Sequence, residues 1–259
     1  MPAVDPLWYL FIVVAFVAGS IPFSLLIGLA RGVDIRTVGS QNVGATNLGR
    51  ALGGRYFALG FTCDMLKGLL PSLGAGVLTH TAGSFKVETL DACLWLAVVA
   101  AAVLGHMFSP WVKFRGGKGV ATGLGALLGV FPALTIPAAG SLVVFLVVFG
   151  LWRYVSAASI VAACSLPVWV ILAFGQVERF AQQTAMDALS PDTTTAQAAD
   201  LARAQATSGF HPTPFVIVSF ALAALVVYRH RANLRRLLEG TEPRVGGSQK
   251  LVDAPEHTR

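Results

Sequence analysis

Three polar segments hold the side chains with which this sequence could do chemistry. The first, "GSQNVGATNLGR" (39–50), gathers Ser40, Asn42, Thr46 and Asn47 just ahead of Arg50. Neutral donors and acceptors beside one planar guanidinium suit an oxyanion such as phosphate. Gly39 and Gly44 permit tight bends, and the same Ser and Asn residues could instead cap a re-entrant turn. The second, "RGGKGVATG" (115–123), sets Lys118 among Gly116, Gly117 and Gly119, directly before a helical stretch. Backbone amides at a helix N-terminus next to a lysine also favour phosphate. It is not a nucleotide-binding loop, because Gly119 and not Ser or Thr follows the lysine. A tight interfacial turn that anchors Lys118 to lipid phosphates fits the same residues. The third, "HRAN", puts His230 and Asn233 three apart, on one face of a continuing helix.

Other polar residues are scattered around these. Asp64 and Lys67 sit at helical spacing inside an apolar run, where charges are costly and normally paired or functional. A structural pair is the reading preferred for them. His106 ends another apolar run and is placed to pack against the loops. Ser156 and Ser159 open a third, where Ser156 could cap a helix or contact an anion. Arg229, Arg231, Arg235 and Arg236 read as a juxtamembrane patch for anionic lipid. Cys63, Cys93 and Cys164 have no paired spacing and read as buried thiols, so neither metal nor disulfide is expected.

The elements that must position these residues are membrane helices. Of 259 residues 55% are hydrophobic and only 12% charged, with a mean hydropathy of +0.68; a soluble domain carries about 25% charged residues. A spanning helix needs roughly 20 apolar residues. Seven candidates follow: about 7–30 with a kink at Pro22, 56–78, 90–108, a short glycine-rich 119–130, 134–152, 156–174 and 214–228. The first run lacks a basic flank and a cleavage site, so it reads as a retained helix and not a secretory signal. The expectation is therefore an all-α polytopic integral membrane bundle of about seven transmembrane helices.

The formal charge is +6, and its distribution sets the topology. With the N-terminus outside, inner segments hold Arg31, Arg36, Arg50, Arg55, Lys113, Arg115, Lys118, Arg153 and everything from Arg229 on; outer loops hold Lys86, Arg179 and Arg203. By the positive-inside rule the C-terminus is then cytoplasmic, and all the polar motifs lie on that side. Trp111 and Trp152 fall near the inner interface and Trp8 near the outer one. Residues 178–211 read as an extracytoplasmic loop, part amphipathic helix and part disordered. Residues 1–243 form one domain, and 244–259 read as a disordered cytoplasmic tail.

In order, "GSIPFSLLIG", "GSQNVGATNLGR", "DMLKG", "GHMFSPWVKFRGGKGVATG", "RYVSAAS" and "RHRANLRRLLEGTE" resemble the bacterial membrane-embedded glycerol-3-phosphate acyltransferases (PlsY), from about Gly19 to Glu242. The resemblance implies a bacterial inner-membrane enzyme with its site toward the cytoplasm. It implies transfer of a fatty acyl group from acyl phosphate to the 1-hydroxyl of glycerol 3-phosphate, giving lysophosphatidate and phosphate. Motif by motif, catalytic positions fall on Ser40, Arg50, Lys118, His230 and Asn233. Phosphate-binding positions fall on Asn42, Thr46, Asn47, Gly116, Gly117, Gly119 and Ser156. Neither cofactor nor metal is implied. The partners are the two substrates and membrane lipid, with no nucleic acid, and the protein is expected to be a monomer. The chain departs from the family in its longer 178–211 loop and in Arg115, where Lys is common.

None of the five histidines has an Asp five residues on, so the base of soluble-type glycerolipid acyltransferases is missing. The expected mechanism is substrate-assisted: the phosphate of the activated donor accepts the hydroxyl proton, while Lys118, Arg50 and loop amides stabilise negative charge. The rival class is an organophosphate transporter, which should carry binding groups near the midplane and toward both sides. Here only Asp64 and Lys67 lie deep.

Overall fold

A computed structural model describes residues 4–187, 197 and 211–246, and all regular structure among them is helical. The first expected span is broken in two, α1 (Leu7–Ser20) and α2 (Phe23–Leu29), by the non-helical pair Ile21–Pro22, of which Ile21 is extended. A proline forces its predecessor out of the helical region and removes one donor. In lipid the carbonyls freed at such a break need new partners. The Ser20 carbonyl accepts the Ser109 hydroxyl (2.6 Å), and the Ile21 carbonyl accepts Lys67 Nζ (2.6 Å).

Lys67 and Asp64 lie on α4 (Gly54–Leu78), which the short α3 (Ala45–Leu52) precedes. Their ion pair is 2.9 Å long and nearly inaccessible, and Ser24 of α2 donates to Asp64 Oδ2 (2.9 Å). Asp64 Oδ1 has the Lys67 ammonium beside it but no well-directed hydrogen bond. As expected from its spacing, the pair is structural: it stitches α4 to the break between α1 and α2.

The remaining elements are α5 (Thr89–Met107), a 3-10 turn (Pro110–Val112), α6 (Val120–Gly129), α7 (Thr135–Trp152), α8 (Val155–Asp187), α9 (Thr213–Arg229) and α10 (Arg231–Leu238). Among the described residues four segments are long and apolar enough to cross a bilayer: Leu7–Leu29, Thr89–Val112, Thr135–Trp152 and Val155–Phe180. The pair α9–α10, bent by 60°, adds a fifth when counted as one. The 25 residues of α4 are long enough but carry Arg55, Asp64 and Lys67. With 10 residues, α6 covers only about 15 Å, half the hydrocarbon thickness of about 30 Å.

Helix α6 packs along α4 so closely that a Cβ at Gly68 or Gly125 would strike the facing backbone. Close backbone approach through small residues is how helices associate in lipid. Helix α1 packs on α5, α7 on α8, and α9 joins α8 to α5.

Four expectations change. Cys93 and Cys164 are exposed on their helices and Cys63 is half-buried, so they are not the buried thiols expected. Trp8 is fully buried, 6.3 Å from the Trp95 ring, and donates to Asp91 (3.1 Å); it belongs to the core and is not an interfacial anchor. The sixth span runs on as helix beyond Phe174 to Asp187, because "GQVERFAQQTAMD" contains good helix formers although it is no longer apolar. Most of the expected outer loop beyond that point lies outside the described residues. The expected tail is held at its start: Val245 N–H donates to the Arg153 carbonyl (2.9 Å) and Arg244 Nε to the Tyr154 hydroxyl (2.8 Å). Residues 247–259 lie outside the described set.

Replacing Asp64 with Ala leaves a buried, uncompensated ammonium and is expected to cost about 3–5 kcal/mol in unfolding of the detergent-solubilised protein. Asp64→Leu combined with Lys67→Met should cost less than the sum of its two single changes. Full additivity would show that the two charges do not support each other.

Candidate functional site

The chain leaving α5 doubles back over that helix's C-terminus. Gly116 N–H donates to the Met107 carbonyl (3.1 Å) and Gly117 N–H to that of His106 (3.2 Å). A Cβ on either glycine would collide with His106. These glycines therefore supply close passage, and their amides are already used. Arg229 clamps the outer side by donating to the carbonyls of Gly116 (2.8 Å) and Gly117 (2.7 Å). Lys118 follows, Gly119 takes a φ of +80°, and α6 opens at Val120 without a side-chain cap.

At the other end of the chain, the bend at His230 turns His230 and Asn233 inward, 2% and 5% exposed. His230 Nδ1 lies 2.8 Å from the Val226 carbonyl, so the neutral ring donates there and leaves Nε2 as an acceptor. Burial first, and then the nearby Lys118 charge, lower His230 to about 4. Gly240 closes α10 with a φ of +70°, and the chain returns so that Glu242 lies beneath Asn233. The buried carboxylate takes three hydrogen bonds: Asn233 Nδ2 (2.7 Å) and Ser156 Oγ (2.8 Å) on Oε1, and Arg236 Nε (2.8 Å) on Oε2. Burial alone would raise its pKa, but these bonds and the Arg236 charge outweigh that and lower it. Lys118 Nζ donates to Asn233 Oδ1 and so joins the same network. Burial pushes Lys118 down to about 8, with Glu242 opposing and Arg236, Arg50 and Arg229 reinforcing.

The third contribution comes from the loop before α3. Asn47 is buried and uses its whole amide on that loop, donating to the Ile35 (2.7 Å) and Val38 (3.1 Å) carbonyls and accepting Ser40 N–H (3.0 Å). The fold it imposes leaves Ser40, Asn42, Thr46 and Arg50 along a cavity wall. Burial lowers the Arg50 pKa and Glu242 offsets this; the guanidinium remains charged and makes no side-chain hydrogen bond to a described residue.

The cavity, about 470 Å³, has two distinct ends. Ser40, Arg50, Lys118, His230 and Asn233 make the polar end, together with the uncapped N-termini of α3 and α6. Phe57, Phe61, Leu124, Phe145, Phe149 and Leu166 make the other. Such a shape takes an amphiphile with an anionic head. Among the described residues no group of three metal-ligating side chains occurs.

Most of the expected site residues thus converge. Asn47, Gly116 and Gly117 lie behind the wall, and Ser156 lines it with its proton already given to Glu242. Glu242, Arg229 and Arg236 were not assigned to the site from the sequence. The arginines fell within a run read as lipid-facing, yet two of them turn inward; the available signal was a pair of acids, Glu239 and Glu242, closing that run.

A family model described as glycerol-3-phosphate acyltransferase matches residues 9–240. The glycerol-3-phosphate acyltransferase of Geotalea daltonii is 38% identical over 232 residues, covering 89% of this chain and 94% of its own. That of Aquifex aeolicus is 37% identical over 237 residues, covering 91% and 98%. Among solved structures, PlsY (YgiH), an integral membrane glycerol 3-phosphate acyltransferase in its glycerol 3-phosphate form, is similar with a TM-score of 0.68 at 34% identity, over 92% of this chain and 94% of that one. Its lysophosphatidic acid form gives 0.66.

Replacing Glu242 with Ala removes the counter-charge of Lys118 and Arg236 and is expected to destabilise the solubilised protein by about 3–5 kcal/mol. Glu242→Gln, which keeps the shape and some bonds, should lose less. Thermal unfolding at neutral pH reads both, and equal losses would mean that the negative charge contributes nothing.

Proposed function

The chain belongs to the glycerol-3-phosphate acyltransferase family, and we propose from that premise that its donor is acyl phosphate. It is a membrane enzyme that acylates glycerol 3-phosphate; in this reading the products are lysophosphatidate and inorganic phosphate. The observation that carries the reading is the single cavity in which a cationic end continues into an apolar one. The fatty chain lies among the phenylalanines of α4 and α7, and the phosphates gather at Arg50, Lys118 and the two helix N-termini.

The 1-hydroxyl oxygen of glycerol 3-phosphate attacks the acyl carbonyl carbon, and the bond from that carbon to the phosphate oxygen breaks. The hydroxyl proton passes to an oxygen of the departing phosphate. His230, lowered to about 4, is too weak a base to compete at neutral pH; its Nε2 instead accepts a hydrogen bond from a glycerol hydroxyl and orients the acceptor. Lys118, Arg50 and the Ser40 hydroxyl stabilise the charge that grows on the carbonyl and phosphate oxygens. Asn233 fixes the position of Lys118 directly, and Ser156 and Glu242 act by holding the Asn233 amide. We further infer that the polar end faces the cytoplasm of a bacterial inner membrane, since the lysines and arginines cluster there. Residues 1–243 act as one unit and as a monomer in this reading. Transport is disfavoured because the charges deep in a described helix, Asp64 and Lys67, are paired with each other.

Purified protein given acyl phosphate and glycerol 3-phosphate should release phosphate and lysophosphatidate in equal amounts. Product with acyl-CoA alone would reassign the donor, and no product with either would overturn the reading. Lys118→Ala is expected to lower kcat by about 10²–10³-fold, whereas His230→Ala should chiefly raise KM for glycerol 3-phosphate.

The ammonium form of Lys118 is the working one, so kcat/KM should be level below its pKa and fall as pH rises through about 8. Lys118→Arg should remove that alkaline limb. A limb that persists in Lys118→Arg would assign it to another group.

A further inference from the structure

A second cavity of about 360 Å³ abuts the first, and the two share Thr46, Arg50, Phe57, Phe149 and Val155 as a common wall. Its outer side is the strap Pro243–Gly246, stretched between two anchors. One anchor is Glu242, fixed in the cationic network. The other is the beginning of α8, where the Arg153 carbonyl takes Val245 N–H and the Tyr154 hydroxyl takes Arg244 Nε. The Arg244 guanidinium lies 5.0 Å over the Tyr154 ring, which fixes its plane. Its terminal nitrogens make no hydrogen bond to a described residue, and the same holds for the whole Arg50 guanidinium on the inner wall. No carboxylate lines this cavity, and at Gly54 a Cβ would meet nothing within 4 Å, so the floor is open.

Two guanidinium groups with unused donors, facing one space without an acid, select a small dianion with several oxygens. A phosphate monoester or inorganic phosphate has that chemistry. The first cavity cannot serve as the route for such a molecule from its apolar end, which is lined by phenylalanine and leucine. We propose that the second cavity is an antechamber for small water-soluble phosphates, with Arg244 receiving the anion from bulk water and passing it to Arg50. This rests on the acyl-phosphate reading above: glycerol 3-phosphate enters this way and inorganic phosphate leaves by it, while the acyl donor, anchored by its chain, does not use it.

Removing the Arg244 charge should slow capture of the soluble substrate alone. In Arg244→Gln at low ionic strength, kcat/KM for glycerol 3-phosphate is expected to fall about fivefold or more, and product inhibition by inorganic phosphate to weaken in parallel. KM for acyl phosphate should stay within about twofold, and raising the salt should narrow the gap between wild type and variant. Arg244→Lys, which keeps the charge and loses the fork, should recover part of the loss. Where Arg244→Gln fails a thermal-unfolding control, Arg244→Met, which keeps an apolar stem over the Tyr154 ring and removes the charge, gives the same reading.

Unchanged kcat/KM for glycerol 3-phosphate, or equal losses for both substrates, would overturn the antechamber. Binding of inorganic phosphate by calorimetry separates this from the activity itself. Wild type that binds phosphate in an Arg244-dependent way but makes no product keeps the subsite and loses the function. Wild type that makes product while Arg244→Gln binds phosphate normally keeps the function and loses the subsite.

Discussion

Three half-buried cations, Lys118, Arg50 and Arg236, are brought together, and the Glu242 carboxylate is what lets them stay there. Like charges at short range in a poorly solvated site repel by several kcal/mol unless a counter-charge is fixed among them. Glu242 holds one carboxylate oxygen against Asn233 and Ser156 and the other against Arg236, so it couples α8 to α10, and Asn233 extends the network to Lys118 after α5. Three of its acceptor positions are taken by protein donors, which spreads its charge over Asn233, Ser156 and Arg236. The site keeps an excess of positive charge while the acid that stabilises it is held in the cavity wall by its protein partners. Lys118, depressed to about 8 in the empty site, regains its proton affinity as a phosphate approaches. Binding and protonation of the lysine thus reinforce each other.

The same rule operates deeper in the bundle with a different result. Pro22 breaks the first span, and the break releases carbonyls that lipid cannot satisfy. Ser109, Lys67 and, through Asp64, Ser24 close those gaps. In that cluster nearly every donor and acceptor is matched inside the protein, which is what a structural role requires. At the cavity's polar end Arg50 keeps all its donors, His230 keeps Nε2, and Lys118 uses one of three. Unmatched capacity, more than charge itself, separates the two sites.

Much of this was legible in the sequence because hydropathy and helical periodicity act locally. The starts and ends of α5, α7 and α9 fall within a residue or two of the apolar runs, since apolar length is what a bilayer selects. Arg50, Lys118, His230 and Asn233 stood out as polar residues with no local reason to be there. Glu242 did not, because its meaning depends on a chain reversal at Gly240 and on partners from α8 and α10. Trp8 was misjudged for a related reason. Its position near a helix end suggests an interface, but Asp91 and Trp95 on α5 take up both its polar and its apolar parts.

The glycine segment shows most clearly how pattern and mechanism part. Glycines before a helix suggest a cradle in which bare amides hold phosphate. Here the amides of Gly116 and Gly117 bond to α5, and their carbonyls bond to Arg229. What these two residues provide is proximity: with no Cβ, the chain can lie against His106, and Lys118 emerges beside Asn233 rather than a side chain's width farther out. The donors left facing the cavity are then Lys118 and the uncapped first turn of α6, which begins at the next bend. A larger residue at Gly116 or Gly117 would damage the site by displacing a lysine, not by removing a ligand. Helix α6 itself need only be half the thickness of a membrane, because its task is to aim its N-terminus at the middle of the polar end.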